Sequence, residues 1–301
     1  MRNNEFENCC LCPRSCKVNR QTDQKGFCME SSKLRLARAA LHFYEEPVIS
    51  GTKGSGAVFC CGCNLRCVYC QNREIALGTV GREISIERLC EIFFELKEQG
   101  ANNINLVTPT HFIPAIREAI IQAKSRGFNL PFVYNTSSYE TVEALKTLDG
   151  LIDIYLPDFK YMDALLARNY SHAPDYPTIA KKAIAEMVRQ TGPLSINPDT
   201  GLMEKGVIVR HMVLPNGTKN AKTVISYLFE TYRDSIYISI MNQYTPMKEF
   251  DKFPELSRKV TAREYQRVID YTVDLGVINA FIQEGETASE SFIPVFNFKG
   301  V

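Results

Sequence analysis

The stretch Cys63-Asn-Leu-Arg-Cys67-Val-Tyr-Cys70 decides how the rest of the sequence is interpreted. Its three cysteines follow a C-x3-C-x2-C spacing, which is close enough for three thiolates to converge on one soft metal centre. Cysteine thiolates are the usual ligands of iron–sulfur clusters. A cubane has four iron corners, so three ligands leave one iron open, and an open iron can bind a small molecule and act on it. The spacing therefore predicts a reactive cluster, whereas a closed four-cysteine site mainly transfers electrons.

Two other metal sites compete with this interpretation. Structural zinc sites usually take C-x2-C pairs that lie a dozen or more residues apart. Here Cys60-x2-Cys63 and Cys67-x2-Cys70 are separated by only three residues. A closed iron–sulfur cluster would take its fourth thiolate from Cys60 or Cys61. The spacing favours the open cluster, and the closed cluster is the main alternative.

An aromatic residue, Tyr69, stands directly before the third cysteine. With it, the run resembles the signature of the radical S-adenosylmethionine (SAM) superfamily. The resemblance implies a [4Fe–4S] cluster held by Cys63, Cys67 and Cys70, with SAM chelating the open iron through its amino and carboxylate groups. It also implies an enzyme in which one electron cleaves the sulfonium and a 5′-deoxyadenosyl radical abstracts hydrogen. In such enzymes the protein supplies orientation and excludes water.

The whole-chain composition is that of an ordinary globular protein. The 301 residues are 45% hydrophobic and 23% charged, with a formal net charge of +1, so no nucleic-acid partner is expected. No apolar run reaches the ~18 residues of a membrane span, and the polar N-terminus does not resemble a signal peptide. We therefore expect a cytosolic protein without a membrane partner.

The cysteines are concentrated at the start of the chain. Ten of the eleven precede residue 71, and the other, Cys90, fits the apolar face of a helix. Structural disulfides are rare in the cytosol, so clustered cysteines indicate metal or redox chemistry. Residues 1–34 have too few apolar side chains to fold by burial alone. The predicted second ligand set consists of Cys9, Cys12, Cys16 and Cys28, and Cys10 is not part of it. The set would bind zinc or an iron–sulfur cluster; the alternative is a segment without metal.

The remainder of the chain alternates between strand and helix patterns. Six strands are predicted, near residues 57–60, 103–107, 131–134, 151–156, 206–214 and 235–240, with a closing strand near 277–282. Such alternation favours a parallel sheet with right-handed crossovers. The predicted fold class is α/β, a partial (β/α)6 barrel of the TIM type over residues 51–301, preceded by a Cys-rich extension over residues 1–50. Within that extension, the pattern after residue 35 fits a strand or a short helix equally.

Polar residues follow the predicted strands, where parallel α/β folds place their sites. The Asn135-Thr136 run, the Asp158-x-Lys160-x-Met162 run and the strand containing Arg210 resemble the pyruvate formate-lyase activating enzyme group. That resemblance implies that Asn135, Thr136 and Asp158 line the SAM ribose or a nearby cation, and that Tyr69 contacts the adenine. Lys160 and Arg210 would neutralise the methionine carboxylate or the ribose region. The alternatives are an ion pair inside the barrel for Arg210 and a solvated position for Lys160.

The sequence also departs from that group. A Gly-Gly-Glu run that holds the SAM amino group is replaced by Thr108-Pro-Thr-His111. Thr108 or backbone carbonyls would have to accept from the ammonium instead. His111 would be an acid or base, or else a solvent-facing residue at a helix start. No catalytic residue beyond the cluster ligands is predicted.

The resemblance implies partners as well as cofactors. It implies a low-potential electron donor such as flavodoxin or ferredoxin, and a glycyl radical enzyme as the protein substrate. Because the extra cysteines precede the cluster motif and the Gly-Gly-Glu run is missing, radical modification of another peptide or small molecule is the alternative. A non-catalytic iron–sulfur carrier or sensor is a further alternative, of a different class.

Overall fold

Strands and helices alternate along most of the chain. The computed structural model describes residues 4–283 and 294–301. Its strands are β1 (Arg35–His42), β2 (Ser55–Cys60), β3 (Arg82–Glu83), β4 (Ile104–Val107), β5 (Phe132–Thr136), β6 (Ile154–Pro157), β7 (Ser195–Ile196), β8 (Met203–Met212), β9 (Tyr237–Met241) and β10 (Ala280–Ile282). Its helices are α1 (Pro47–Ser50), α2 (Arg73–Ala76), α3 (Ile86–Glu98), α4 (Ile113–Ser125), α5 (Val142–Lys146), α6 (Ala164–Ser171), α7 (Tyr176–Thr191), α8 (Thr218–Tyr232) and α9 (Ala262–Asp274).

One sheet connects the strands in the order β10-β9-β8-β6-β5-β4-β2-β1-β3, and β7 pairs with β8 off this path. From β2 to β10, every pair of neighbours along that order is parallel. The six predicted strands are β2, β4, β5, β6, β8 and β9, and β10 is the predicted closing strand. The predicted fold class, an α/β partial barrel of the TIM type with a Cys-rich N-terminus, is confirmed.

Local signals in the sequence explain the helix ends. The Ser85 side chain caps α3 by accepting from the Arg88 N–H, and Thr261 forms a capping box with Glu264 at the start of α9. Helix α6 was not predicted, although Asp163 accepts from two N–H groups of its first turn. Among the described residues, no helix is both long and apolar enough to cross a membrane.

The segment that fits either strand or helix in the sequence is strand β1, which pairs antiparallel with β2. The C-terminal residues lie along β1, since the Ala39 N–H donates to the Lys299 carbonyl at 2.8 Å. This contact covers a sheet edge that would otherwise be open to other chains. The division of the chain at residue 50 stays a prediction, and the structure shows that β1 belongs to the same sheet as the barrel strands.

Helix α1 fills the end of the barrel opposite the carboxyl ends of the parallel strands. Its Ile49 packs in an apolar cluster with Val133, Ile154 and Ile208, side chains of three neighbouring strands. The Asn103 side chain fixes α1 by donating to the Ile49 carbonyl at 2.8 Å. Because this end is packed with apolar side chains, the space inside the sheet opens toward the carboxyl ends of the strands.

Candidate active site

A cavity of about 250 Å³ lies at the carboxyl ends of the parallel strands. The loop between β2 and α2 contributes the three motif cysteines to its wall. The ends of β5, β6 and β8 contribute the polar residues, so the structure brings the cysteine motif together with residues as far along the chain as Arg210. All the predicted ligands and SAM contacts of the barrel line this cavity: Cys63, Cys67, Tyr69, Cys70, Asn135, Thr136, Asp158, Lys160 and Arg210.

A glycine shapes the start of the cysteine loop. Gly62 has a φ of +82°, and a Cβ there would lie 2.5 Å from the carbonyl oxygen of Cys28. Both the positive φ and the close approach require a residue without a side chain. The turn thus brings the cysteine loop directly against the N-terminal extension.

The three motif cysteines have the chemistry of a cluster ligand set. Burial raises the pKa of the Cys67 thiol, and it raises the pKa of Cys70 to about 12. These thiols must lose their protons when they bind a metal. Cys67 Sγ accepts a hydrogen bond from Ser171 Oγ at 2.9 Å, and Cys63 Sγ accepts from the Leu65 N–H at 3.4 Å. Three soft donors around one cavity fit a [4Fe–4S] cluster with one open iron.

The rival fourth ligands point elsewhere. Cys60 is buried in the main apolar core, and Cys61 packs in a separate apolar cluster with Ala37, Phe59 and Ile75. Neither residue lines the cavity that holds the three motif cysteines. This placement counts against a closed cluster with Cys60 or Cys61 as the fourth ligand.

The floor of the cavity is a network of buried charges centred on Arg210. Its guanidinium donates to Asp158 at 2.9 Å, to Glu45 at 3.0 Å and to the Asn135 side-chain oxygen at 2.7 Å. Lys160 donates to the other oxygen of Asp158 at 2.6 Å. The alternative of an ion pair inside the barrel is therefore what the structure shows for Arg210. A solvated Lys160 is wrong, because its side chain is only 18% exposed.

The charges of this network stabilise one another against the cost of burial. Burial by itself would raise the pKa of Asp158, but the charges of Arg210 and Lys160 outweigh it and lower that pKa. Burial would likewise lower the pKa of Lys160, and the carboxylate of Asp158 outweighs it and raises that pKa. Asp158 and Lys160 therefore stay ionised inside the cavity wall.

Glu45 is a site residue that the sequence interpretation missed. It precedes α1 and lines the cavity, and its carboxylate accepts from Arg210, Asn105 and Asn135. Nothing in the local sequence connects this position with the strand ends, because it precedes the cysteine motif. The only local signal is the acidic pair Glu45-Glu46 directly before the proline that opens α1.

Ser137 has an unsatisfied hydroxyl at the cavity. Its buried Oγ has no hydrogen-bond partner among the described residues, and the residue lines the cavity beside Thr136. Buried polar groups in native proteins are nearly always hydrogen-bonded. A polar ligand in the cavity would supply the missing partner, so this orphaned hydroxyl fits a site for a molecule that carries hydroxyl or amino groups, as SAM does.

The ring of Tyr69 is enclosed by other aromatic rings. It meets Tyr170 and Tyr244 edge to face, and its hydroxyl lies 2.6 Å from that of Tyr161. Burial raises the pKa of Tyr69 well above its ordinary value, so the phenol stays neutral. The contact of Tyr69 with an adenine stays a prediction.

The segment that replaces the Gly-Gly-Glu run is strained and largely buried. Thr108 lines the cavity with a positive φ of 56°, an uncommon conformation for a residue with a side chain. His111 is 1% exposed, so a solvent-facing position is wrong. Burial, reinforced by the charge of Arg20, lowers the pKa of His111 to about 3. The imidazole is therefore neutral near pH 7, which does not favour a role as acid or base.

The predicted ligands of the N-terminal extension are only partly gathered. Cys9, Cys12 and Cys28 are buried, and burial raises the pKa of the Cys12 and Cys28 thiols, with a smaller contribution from the neighbouring Cys9. Cys16 is half-buried, and its Sγ accepts a hydrogen bond from the Phe27 N–H at 3.3 Å. Zinc requires four ligands around one point. Among the described residues, no three Cys, His, Asp or Glu side chains surround a single ion position, and this includes Cys63, Cys67 and Cys70, which would hold a cluster rather than one ion. A second metal centre stays a prediction.

Comparison with known proteins connects part of the chain with one family. Residues 58–197 match the family model described as the radical SAM superfamily. An uncharacterized protein of Methanocaldococcus jannaschii is 28% identical over 285 residues, which cover 90% of this chain and 77% of that protein.

Two solved structures share the fold. A radical SAM methyltransferase from Sphaerobacter thermophilus has a TM-score of 0.52 at 14% identity, over 77% of this chain and 67% of its own. SuiB of Streptococcus suis, bound to its precursor peptide SuiA, has a TM-score of 0.51 at 14% identity, over 75% of this chain. The match spans only 47% of SuiB. These structures show a shared fold, and residues 58–197, a little under half of the chain, are similar to the radical SAM superfamily model.

Proposed function

We propose that this chain is an enzyme that holds a [4Fe–4S] cluster on Cys63, Cys67 and Cys70 and binds SAM in the adjoining cavity. The observation that carries the proposal is the division of the cysteines. Three line the cavity together with the charge network, while Cys60 and Cys61 are buried among apolar side chains and do not line it. When bound, the two cofactors supply a 5′-deoxyadenosyl radical that abstracts a hydrogen atom.

The chain's own residues would bind and orient SAM. Lys160 keeps donors to spare beside Asp158, and the unpartnered hydroxyl of Ser137 is available to a ribose or amino group. Arg210 is already paired with Asp158 and Glu45, so it would act chiefly by fixing those two carboxylates in place. Thr108 is the nearest substitute for the missing Gly-Gly-Glu run and would accept from the ammonium of SAM.

A second cavity gives the substrate a path. It measures about 330 Å³ and shares His42, Glu45, Arg210 and Gln243 with the first. Its outer wall includes Phe43, which is half exposed. We propose that the substrate enters here as a polypeptide. The resemblance at the strand ends favours a glycine of a partner glycyl radical enzyme, with another peptide or a small molecule as the alternative.

Further components belong to this proposal. The reducing electron would come from flavodoxin or ferredoxin in the cytosol, where thiols stay reduced. The eleven cysteines are all free thiols in the structure, in keeping with such a setting. The N-terminal set of Cys9, Cys12, Cys16 and Cys28 would hold zinc or a second cluster.

The test is the response of the reduced cluster to SAM. Anaerobically reconstituted protein is reduced, and its EPR spectrum is recorded with and without SAM. An open iron predicts a changed spectrum, because SAM adds ligands to it. An unchanged spectrum at saturating SAM would indicate a closed cluster and a non-catalytic carrier or sensor, and would overturn the proposal.

A further inference from the structure

We propose that Ser171 tunes the reduction potential of the cluster through Cys67, and that Arg14 of the N-terminal extension positions Ser171 for this task. This inference rests on the proposed function, because it takes Cys67 as a cluster ligand. It assigns the extension a role that does not depend on its holding a metal.

Ser171 is the last residue of α6 and is fully buried. Its Oγ lies 2.9 Å from Cys67 Sγ and 2.8 Å from the hydroxyl of Tyr161. A serine hydroxyl has one proton. If that proton is donated to the sulfur, Tyr161 must donate to Ser171, and Tyr69 must in turn donate to Tyr161 at 2.6 Å. The three hydroxyls then form a chain in which every hydrogen bond points toward the cluster ligand, and such chains strengthen each member.

Arg14 fixes the position of Ser171 relative to the cysteine loop. Its Nε donates to the Asn64 carbonyl at 2.8 Å, and Nη2 donates to the Ser171 carbonyl at 3.0 Å. Nη1 donates to the carbonyl of His172, the residue that ends α6 in a left-handed conformation. The guanidinium lies 3.9 Å from the centre of the Phe27 ring. One side chain of the extension thus joins the cysteine loop to the end of α6.

The hydrogen bond from Ser171 to Cys67 should raise the reduction potential of the cluster. Hydrogen bonds to the ligand sulfurs are among the factors that set the potential of an iron–sulfur cluster. Reduction adds negative charge to the cluster, so a donor to a ligand sulfur stabilises the reduced form more than the oxidised form. The donor at Cys63 Sγ is a backbone N–H, whereas Cys67 Sγ receives a side-chain hydroxyl. Only the hydroxyl donor at Cys67 can be removed by truncating a side chain.

The experiment is a redox titration of the reconstituted cluster in the absence of SAM, with the EPR signal of the reduced cluster as the readout. Ser171→Ala should make reduction roughly tenfold less favourable, as expected for a hydrogen bond to a charged group. Tenfold corresponds to a midpoint about 59 mV lower for a one-electron couple. Tyr161→Phe should shift the potential in the same direction by a smaller amount. Arg14→Lys should also lower it, because lysine cannot reach three carbonyl groups at once.

Matched controls separate this effect from general damage. Ser226→Ala on α8 removes a hydroxyl that is hydrogen-bonded to Tyr271 on α9, and Arg189→Lys alters an exposed ion pair of α7, so neither should change the reduction potential. Iron content and circular dichroism establish that each variant is folded and loaded.

The inference and the proposed function fail separately. An unchanged potential in both Ser171→Ala and Tyr161→Phe would overturn the inference while leaving the cluster assignment intact. Retention of the wild-type cluster signal by Cys67→Ala would instead overturn the assignment of Cys67 as a ligand. If Arg14→Lys fails to fold, the two hydroxyl variants still decide the role of Ser171.

Discussion

Arg210 Nη1 donates to Glu45 Oε2 at 3.0 Å, although the two residues are 165 positions apart in the sequence. The contact brings the segment after β1 into the barrel and pairs one guanidinium with two carboxylates, because Asp158 lies on its other side. The cation that the sequence suggests as a binding group is therefore already neutralised. Its main effect is to hold the acidic floor of the cavity rigid.

Glu45→Gln should reduce the free energy of unfolding by about 1.5–3 kcal/mol, the usual range for a hydrogen bond to a charged group. Glutamine keeps an acceptor for Asn105 and Asn135 but leaves Arg210 with only one carboxylate. Urea denaturation measures the change, with Glu204→Gln as the exposed control. Equal stability of the two variants would show that the network contributes nothing at Glu45.

Iron content should separate the five cysteines near the cluster into two groups. Cys63→Ala, Cys67→Ala and Cys70→Ala should each lose most of the iron, because they remove a ligand. Cys60→Ala and Cys61→Ala should retain it, because neither side chain lines the cavity. Iron is quantified per chain after anaerobic reconstitution. Loss of iron from Cys60→Ala or Cys61→Ala, at unchanged circular dichroism, would favour the closed cluster.

The N-terminal cysteines provide three variants for testing a second metal site. If the extension holds a metal, Cys9→Ser and Cys12→Ser should lower the metal content beyond that of the radical cluster. Cys10→Ser should leave it unchanged, because Cys10 is exposed. Elemental analysis of zinc and iron reads out the effect and identifies the metal. Equal metal content in all three variants would contradict a second site.

Glu140 should make stability depend on pH. Burial raises its pKa to about 7 against the opposing hydrogen bonds from Thr110, Thr136 and Tyr134, and its Oε2 has no partner among the described residues. Between its ordinary value of 4.5 and about 7, the folded chain keeps a proton that the unfolded chain releases. Stability from this group is therefore present at low pH and is lost as the pH rises through that window.

The variant Glu140→Gln removes the titration without removing the acceptor oxygen. The stability of the wild type relative to Glu140→Gln should fall by up to about 1.4 kcal/mol for each pH unit between pH 5 and 7. Denaturation curves at several pH values measure the difference. A difference that stays constant or grows with pH would show that Glu140 ionises normally in the folded chain.

The sequence predicted the sheet well because its strands are short apolar runs between turn signals. The position of the site was predicted from the rule that parallel strands present their carboxyl ends at one edge of the sheet. That rule places Asn135, Asp158 and Arg210 together, and the three residues line one cavity. Glu45 and Ser171 were missed for a different reason. Their roles come from tertiary contacts, one from a segment that enters the barrel and the other from the end of an unpredicted helix, so no local pattern marks them.

The burial of His111 was also missed, because it too depends on a tertiary contact. Its position after β4 suggested an acid or base, or else a solvent-facing residue at a helix start, and packing of the N-terminal extension buries it instead. Arg20 donates to the His111 carbonyl at 2.7 Å, a contact across 91 positions that spacing in the sequence does not reveal.

The most direct test of the central claim is the formation of 5′-deoxyadenosine. Reconstituted protein is incubated anaerobically with dithionite and SAM, beside Cys67→Ala and beside Cys90→Ala, whose thiol is buried in α3 away from the cavity. The account predicts 5′-deoxyadenosine from the wild type and from Cys90→Ala, and none above background from Cys67→Ala. A wild-type protein with a full cluster that forms no more 5′-deoxyadenosine than Cys67→Ala would contradict it.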